Sequence, residues 1–146
     1  MKKILIFFFI ALLAVIACKN ETANPIEGQW NLIYAKSVAN DSVTWEFPGM
    51  YQGSDMKWWS SDHFIFVGKY TMDTVTMNGW GGGTYTINGT DYAETIQYHV
   101  SPEVVGKTYK MLVTVKNDTL VQIWPVKDDG QIDKSTYTLE RYVRMK

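Results

Sequence analysis

A two-residue turn constrains this chain more tightly than any other stretch. Asn88-Gly89 stands between two alternating runs, Thr84-Tyr85-Thr86-Ile87 and Tyr92 through Tyr98. Both central positions of a tight hairpin need φ > 0, which asparagine and glycine tolerate, so the dipeptide predicts an antiparallel hairpin. Gly79-Trp80-Gly81-Gly82-Gly83 runs directly into it. So many glycines predict unusual φ or close backbone approach, as at a barrel corner. By the period of two, the returning strand carries one carboxylate, Glu94, on the same face as Tyr92, Ile96 and Tyr98.

The rest of the chain repeats this rhythm. Gly28 to Lys36 predicts a first strand, with Trp30, Leu32 and Tyr34 on one face. Val38 to Ser54 reads mostly as loop, with a short strand at Val43–Phe47. Met56–Trp59 and His63–Tyr70 predict a strand pair turned at Ser60-Ser61-Asp62, with Phe64, Phe66 and Tyr70 on one face. Thr71 to Met77 reads as a strand end or a wide loop. Pro102 to Gly106 predicts one helical turn ended by glycine. Lys107–Lys116, Thr119–Trp124 and Ser135–Arg144 complete about eight strands. No segment sustains a 3.6-residue apolar period. Short strands joined by turns predict an all-β barrel or sandwich.

The chain begins Met1-Lys2-Lys3, followed by 14 unbroken apolar residues from Ile4 to Ala17 and then Cys18. A basic start and a short apolar run have the layout of a secretory signal peptide. Crossing a membrane takes about 20 apolar residues, more than this run holds. Val15-Ile16-Ala17-Cys18 resembles the lipobox of bacterial lipoproteins. That resemblance implies cleavage before Cys18 and attachment of diacylglycerol and a further acyl chain, such as palmitate, to it. Several chains hold a protein on a membrane more firmly than one. Cys18 is the only cysteine, so lipidation would leave an exported domain without a free thiol. Lys19, where an aspartate would imply inner-membrane retention, points by the same resemblance to the outer membrane, on its periplasmic or surface face. The organisation expected is a signal peptide over residues 1–17, a lipidated tether over 18–25 and one domain over 26–146.

Once Lys2 and Lys3 leave with the leader, 12 basic residues face 15 acidic ones. This balance excludes phosphate-driven nucleic-acid binding. All six tryptophans and nine tyrosines fall in the mature part, which suits strands, interfaces and ligand-contacting surfaces alike.

Ile26-Glu27-Gly28-Gln29-Trp30 resembles the Gly-x-Trp opening of lipocalins and of small bacterial lipocalin-like lipoproteins. Gly82-Gly83-Thr84-Tyr85, with Tyr92 and Glu94 beyond the Asn-Gly turn, resembles the latter group more closely, as does the ending Leu139 to Arg144. The resemblance implies an antiparallel up-and-down β-barrel. It further implies that Trp30 closes the narrow end and that an arginine of the last strand, Arg144 in preference to Arg141, packs on it. The chain departs from the animal lipocalins in its length, its lack of a clear C-terminal helix and its lack of a disulfide.

For chemistry the sequence offers little. His63 and His99 have no partner at ligand spacing, so no metal or other cofactor is expected. No Gly-x-Ser-x-Gly, Walker or His-Glu motif is present, and the chain reads as non-enzymatic; the enzyme alternative would use an interior Glu94. Glu94, facing inward, must find partners or become neutral. It then belongs either to a structural network or to a ligand-orienting site, and an inverted face would leave it solvated. Tyr34, Phe66, Tyr85, Tyr92 and Tyr98 are candidates to line a pocket for a small apolar or amphipathic ligand. An eight-stranded barrel can equally be packed solid. In that alternative the protein is a structural module, meeting envelope proteins or glycans through loop tryptophans such as Trp45, Trp58, Trp59 and Trp80. Asp41-Ser42-Val43, Asp73-Thr74-Val75 and Asp118-Thr119-Leu120 each resemble an acceptor for O-glycosylation of exported proteins.

Overall fold

The computed structural model describes residues 24–146. The leader and Cys18 lie outside the described residues. Nine strands follow in order: β1 (Gly28–Ala39), β2 (Ser42–Phe47), β3 (Gln52–Trp59), β4 (His63–Met72), β5 (Val75–Asn88), β6 (Asp91–His99), β7 (Thr108–Lys116), β8 (Thr119–Trp124) and β9 (Tyr137–Arg144). From β3 to β9 each strand pairs antiparallel with the next. β1 pairs with β9 along Trp30–Val38 and with β3 along Gly28–Asn31, which closes an up-and-down barrel of eight strands. Closure removes the free edges that an open sheet would expose. β2 is the extra strand. It folds back on the second half of β1, so the expected Val38–Ser54 loop is largely a hairpin beside the barrel.

The Asn88-Gly89 turn joins β5 to β6, with Gly89 at φ 62°. Thr71–Met77 holds the end of β4 and the start of β5, joined by a tight turn at Asp73-Thr74 with Asp73 in the left-handed region. Pro102–Val104 forms one 3₁₀ turn on the way to β7.

The glycine run lies inside β5 rather than at a corner. Gly81 and Gly83 keep negative φ. Their role is close approach: a Cβ on Gly81 would meet the Phe66 ring at 2.5 Å, and one on Gly83 would meet the Thr95 carbonyl at 2.0 Å. Opposite this run β6 bulges, with Gly82 facing Tyr98 and Gly83 facing Ile96. A bulge inserts one residue and reverses which side chains face in.

The two ends of the barrel differ. At one end β1 starts, β3 and β9 finish, and Ile26, Trp30, Trp59, Phe64, Leu120 and Tyr142 are fully buried. The core sits there. At the other end lie the β2 hairpin, the Met72–Val75 turn and the 3₁₀ turn. Trp45, Phe47, Tyr51 and Tyr70 form an aromatic cluster on the β2 side of that end, with ring centroids 5.6–6.4 Å apart.

Candidate functional site

Trp30 seals the packed end. Its indole N–H donates to the Ile26 carbonyl at 2.7 Å. Arg144 is its cross-strand partner, and the guanidinium lies 4.1 Å from the indole centroid. The same guanidinium donates to the carbonyls of Glu27 at 2.6 Å and Pro25 at 2.8 Å. The chain entering the barrel is thereby tied across its base. Arg141 projects the other way and stands over Tyr34.

Above this base a polar layer crosses the barrel. The Trp59 indole donates to the Tyr92 hydroxyl at 2.7 Å, and that hydroxyl donates to Glu94 Oε1 at 2.6 Å. Lys57 Nζ pairs with the same carboxylate oxygen, and both side chains are buried. Lys57 also lies 4.8 Å from the Trp59 centroid and 4.9 Å from that of Phe64. A buried charge pair needs such further contacts to offset its desolvation.

Beyond the polar layer the barrel is hollow. A cavity of about 400 Å³ is walled by Phe66, Tyr70, Ile96, Val104, Met111 and Trp124. Its polar side consists of Asp55, Lys57, Glu94, Gln122 and Glu140. Tyr70 donates to Asp55 Oδ2 at 2.8 Å. Tyr142 and Gln122 donate to Glu140 Oε2 at 3.0 and 3.2 Å. Gln122 is only 1% exposed, and its Oε1 has no partner. Burial, helped by the Glu140 charge, pushes the Asp55 carboxyl up to about 7 against the opposing Tyr70 hydrogen bond and Lys57 charge. Burial likewise raises Glu140, against the pull of Lys57 and its hydrogen bonds. Burial and the Glu94 charge hold Tyr92 far above the usual phenol range, so it acts only as a neutral donor to Glu94.

The candidate residues divide by depth. Glu94 and Phe66 line the cavity. Tyr92 lies beneath it, in the polar layer. Tyr85 lies at the packed end, its ring tilted against that of Tyr92 with centroids 5.4 Å apart, and accepts from Asn24 at 2.8 Å. Two candidates face outward. Tyr98 is 68% exposed, because the β6 bulge turns His99 inward in its place. Tyr34 lies on the outer face, donating to Glu46 at 3.1 Å, because β1 has its own irregularity between Leu32 and Tyr34. In both strands the period of two was carried through a bulge that reverses it.

Asp55, Lys57, Gln122 and Glu140 were not singled out from sequence. Each had a signal: Lys57 alternates with Trp59, Gln122 with Leu120, and Glu140 with Tyr142. The signal was masked because polar residues at alternating positions read as a solvated face. Trp45, Trp58 and Trp59 lie on strands, as their segments predict, and Trp80 lies on a strand too. Trp58 and Trp80 are exposed on β3 and β5, Trp59 is buried and Trp45 is half-buried on β2.

Among the described residues no group of three or more His, Cys, Asp or Glu side chains is placed to hold a metal ion. Neither a family model nor a curated protein matches the sequence.

Proposed function

We propose that this protein is an exported, lipid-anchored member of the lipocalin-like lipoproteins, and that its barrel is a cup for one small amphipathic molecule, acting by binding rather than by a chemical step. The cavity carries this reading. A volume of about 400 Å³ falls within the range of small-molecule pockets, and its apolar wall with a few convergent polar groups is their usual composition. The Trp30–Arg144 closure and the Gly-x-Trp opening support the family. Glu94 is both structural and available to a ligand: Lys57 and Tyr92 hold it through one oxygen, and it still borders the cavity.

The test is native mass spectrometry of the protein purified from its own host. A co-purifying small molecule is expected, absent from a Val104→Trp variant that fills the cavity from the 3₁₀ turn. A protein that carries no ligand and takes none up from an envelope extract sinks the cup reading. Intact mass of the same sample reads the lipid on Cys18 directly.

The alternative, a contact module using exposed tryptophans, draws support from a different surface. Trp58 and Trp80 are exposed together with Met56, Ile65 and Val67 on the outer face of β3–β5. An exposed apolar patch of this kind marks contact with another surface.

A further inference from the structure

The cavity has a surplus of acceptors. Asp55, Glu94, Glu140 and Gln122 line it, against one cation, Lys57. That cation is already spent on Glu94, which also receives the Tyr92 hydroxyl. The donors reaching Asp55 and Glu94 fall on one oxygen of each, Oδ2 and Oε1. Gln122 Oε1 is buried without any donor. The other oxygen of each of those two carboxylates has no side-chain donor from the chain and is left to whatever enters the cavity.

From this surplus, and resting on the cup reading, we infer that the ligand carries a protonated amine, with its ammonium set between Asp55 and Glu140 and its apolar body against Phe66, Ile96, Met111 and Trp124. An ammonium offers up to three donors and no acceptor, the complement of this wall. A carboxylate ligand would meet three like groups and only a neutralised lysine. The titratable groups around the seat are Lys57 on the same strand as Asp55, Tyr70 on β4, Glu94 and His99 on β6, Tyr109 on β7, and Glu140 and Tyr142 on β9. In the empty cup Asp55 holds its proton up to about pH 7. A bound cation favours the ionised carboxylate, so binding releases that proton. Amine affinity therefore falls as pH drops below about 7.

Three probes of equal length, octylamine, octanol and octanoate, decide this by titration calorimetry on the full barrel domain. Octylamine is expected to bind about tenfold or more tighter than octanol at pH 8, the scale of one charge-assisted hydrogen bond, and octanoate weakest. The amine's advantage should shrink at pH 6. Asp55→Asn, which keeps the volume, should bring amine and alcohol together, with Glu140→Gln as a second variant if the first is poorly folded. Equal binding of the three, or preference for octanoate, overturns the amine assignment while leaving the cup. Binding of none overturns both.

A separate observation concerns the outside of the barrel. Two cross-strand rows run over β3 to β6: Trp58–Ile65–Gly82–Tyr98 and Met56–Val67–Trp80. All six side chains are exposed. The polar residues among them are Lys69, Asn78, Gln97 and His63, the last paired with the exposed Asp62 carboxylate at the base of the barrel. Asn24 begins the described chain beside this face. Its amide donates to Tyr85, whose hydroxyl donates to the carbonyl of Ser60, two residues past Trp58. From Cys18 to Asn24 the chain can span roughly 20 Å at full extension. A lipid on Cys18 therefore keeps the bilayer within reach of these rows. We infer that this face rests on the membrane surface, with the ring edges of Trp58, Trp80 and Tyr98 at headgroup level, where such amphipathic rings partition.

Trp58 and Trp80 are natural reporters, the other tryptophans being buried or half-buried. The lipidated full chain, with Cys18 modification verified by mass, is placed in phosphatidylcholine vesicles with brominated acyl chains. Tryptophan emission is expected to be quenched, and most of the quenching lost in Trp58→Tyr/Trp80→Tyr. Equal quenching in that variant overturns the assignment. So does a cross-link between Lys69 residues of two chains, which would show a second copy covering the face.

Discussion

The packed and hollow ends of this barrel are built from the same strands, yet they satisfy polar groups differently. At the packed end and in the polar layer above it the buried side-chain donors have partners: Trp30 on Ile26, Arg144 on Glu27 and Pro25, Trp59 on Tyr92, and Tyr92 on Glu94. At the hollow end Gln122 Oε1 has none, and two carboxyls are driven toward neutrality by burial. A filled core and a cavity were alternatives for the whole barrel; the chain divides them along its axis. Full satisfaction marks a structural end, and deficit marks the end that the proposed function assigns to a ligand.

The sharpest way to break this contrast is to open the packed end. Trp30→Ala removes a fully buried indole and the platform under Arg144. It is expected to cost about 4 kcal/mol, read as a lower midpoint in urea with an unchanged slope. A cost below about 1 kcal/mol would mean that this end is not the stable one.

Next comes the polar layer between the ends. Lys57→Met leaves Glu94 buried with a single donor, at an expected cost of about 3 kcal/mol. Lys57→Met/Glu94→Leu removes both charges and should recover most of that loss, since a buried pair adds little over apolar packing. Tyr92 would then lose its acceptor, so recovery should stay incomplete. If the double variant is as unstable as the single one, the layer carries the fold through more than its charge balance.

At the hollow end the expected effect is smaller and depends on pH. Asp55 binds its proton more tightly folded than unfolded, with a folded value of about 7 against 3.8. Between those values the folded state holds more protons. Stability therefore falls as pH rises from about 4 through about 7; Asp55→Asn should remove the Asp55 part of this dependence and leave the part, of the same sign, that the raised Glu140 contributes. The shift corresponds to at most about 4 kcal/mol, and water admitted to the cavity screens part of it, leaving about 2 kcal/mol. Urea midpoints of both proteins at pH 5 and pH 8 make the check. An amine ligand should flatten the wild-type slope by holding Asp55 ionised.

How far the two ends were legible follows the same division. Period-two alternation and the Asn88-Gly89 turn led to an antiparallel barrel or sandwich, and the resemblance to lipocalins singled out the barrel. The Trp30 side of the structure follows from regular strands, where alternation holds from Gly28 to Leu32 and from Tyr92 to Ile96. Legibility failed where strands bulge. One extra residue in β6 put His99 inside and Tyr98 outside, and the irregularity in β1 moved Tyr34 to the surface. A bulge has no strong local signature, although the close approach at Gly83 hints at this one. The hollow end was also hidden by its composition. Asp55, Gln122 and Glu140 carry the alternation of a buried face with the residue types of a solvated one, and only the closed geometry shows which applies.

Gln122 sets the finest test of the contrast. If its carbonyl is kept for a ligand, the empty protein bears the cost of an unmatched buried acceptor. Gln122→Met keeps the volume and removes that acceptor, together with one weak donor to Glu140, which retains Tyr142. The variant should gain about 1 kcal/mol in urea unfolding without ligand. It should also bind octylamine several-fold more weakly. A gain in stability paired with a loss in affinity is the signature of a group retained for binding. A residue serving the packed core would lose stability on the same change, and the division between the two ends would have to be moved upward to include it.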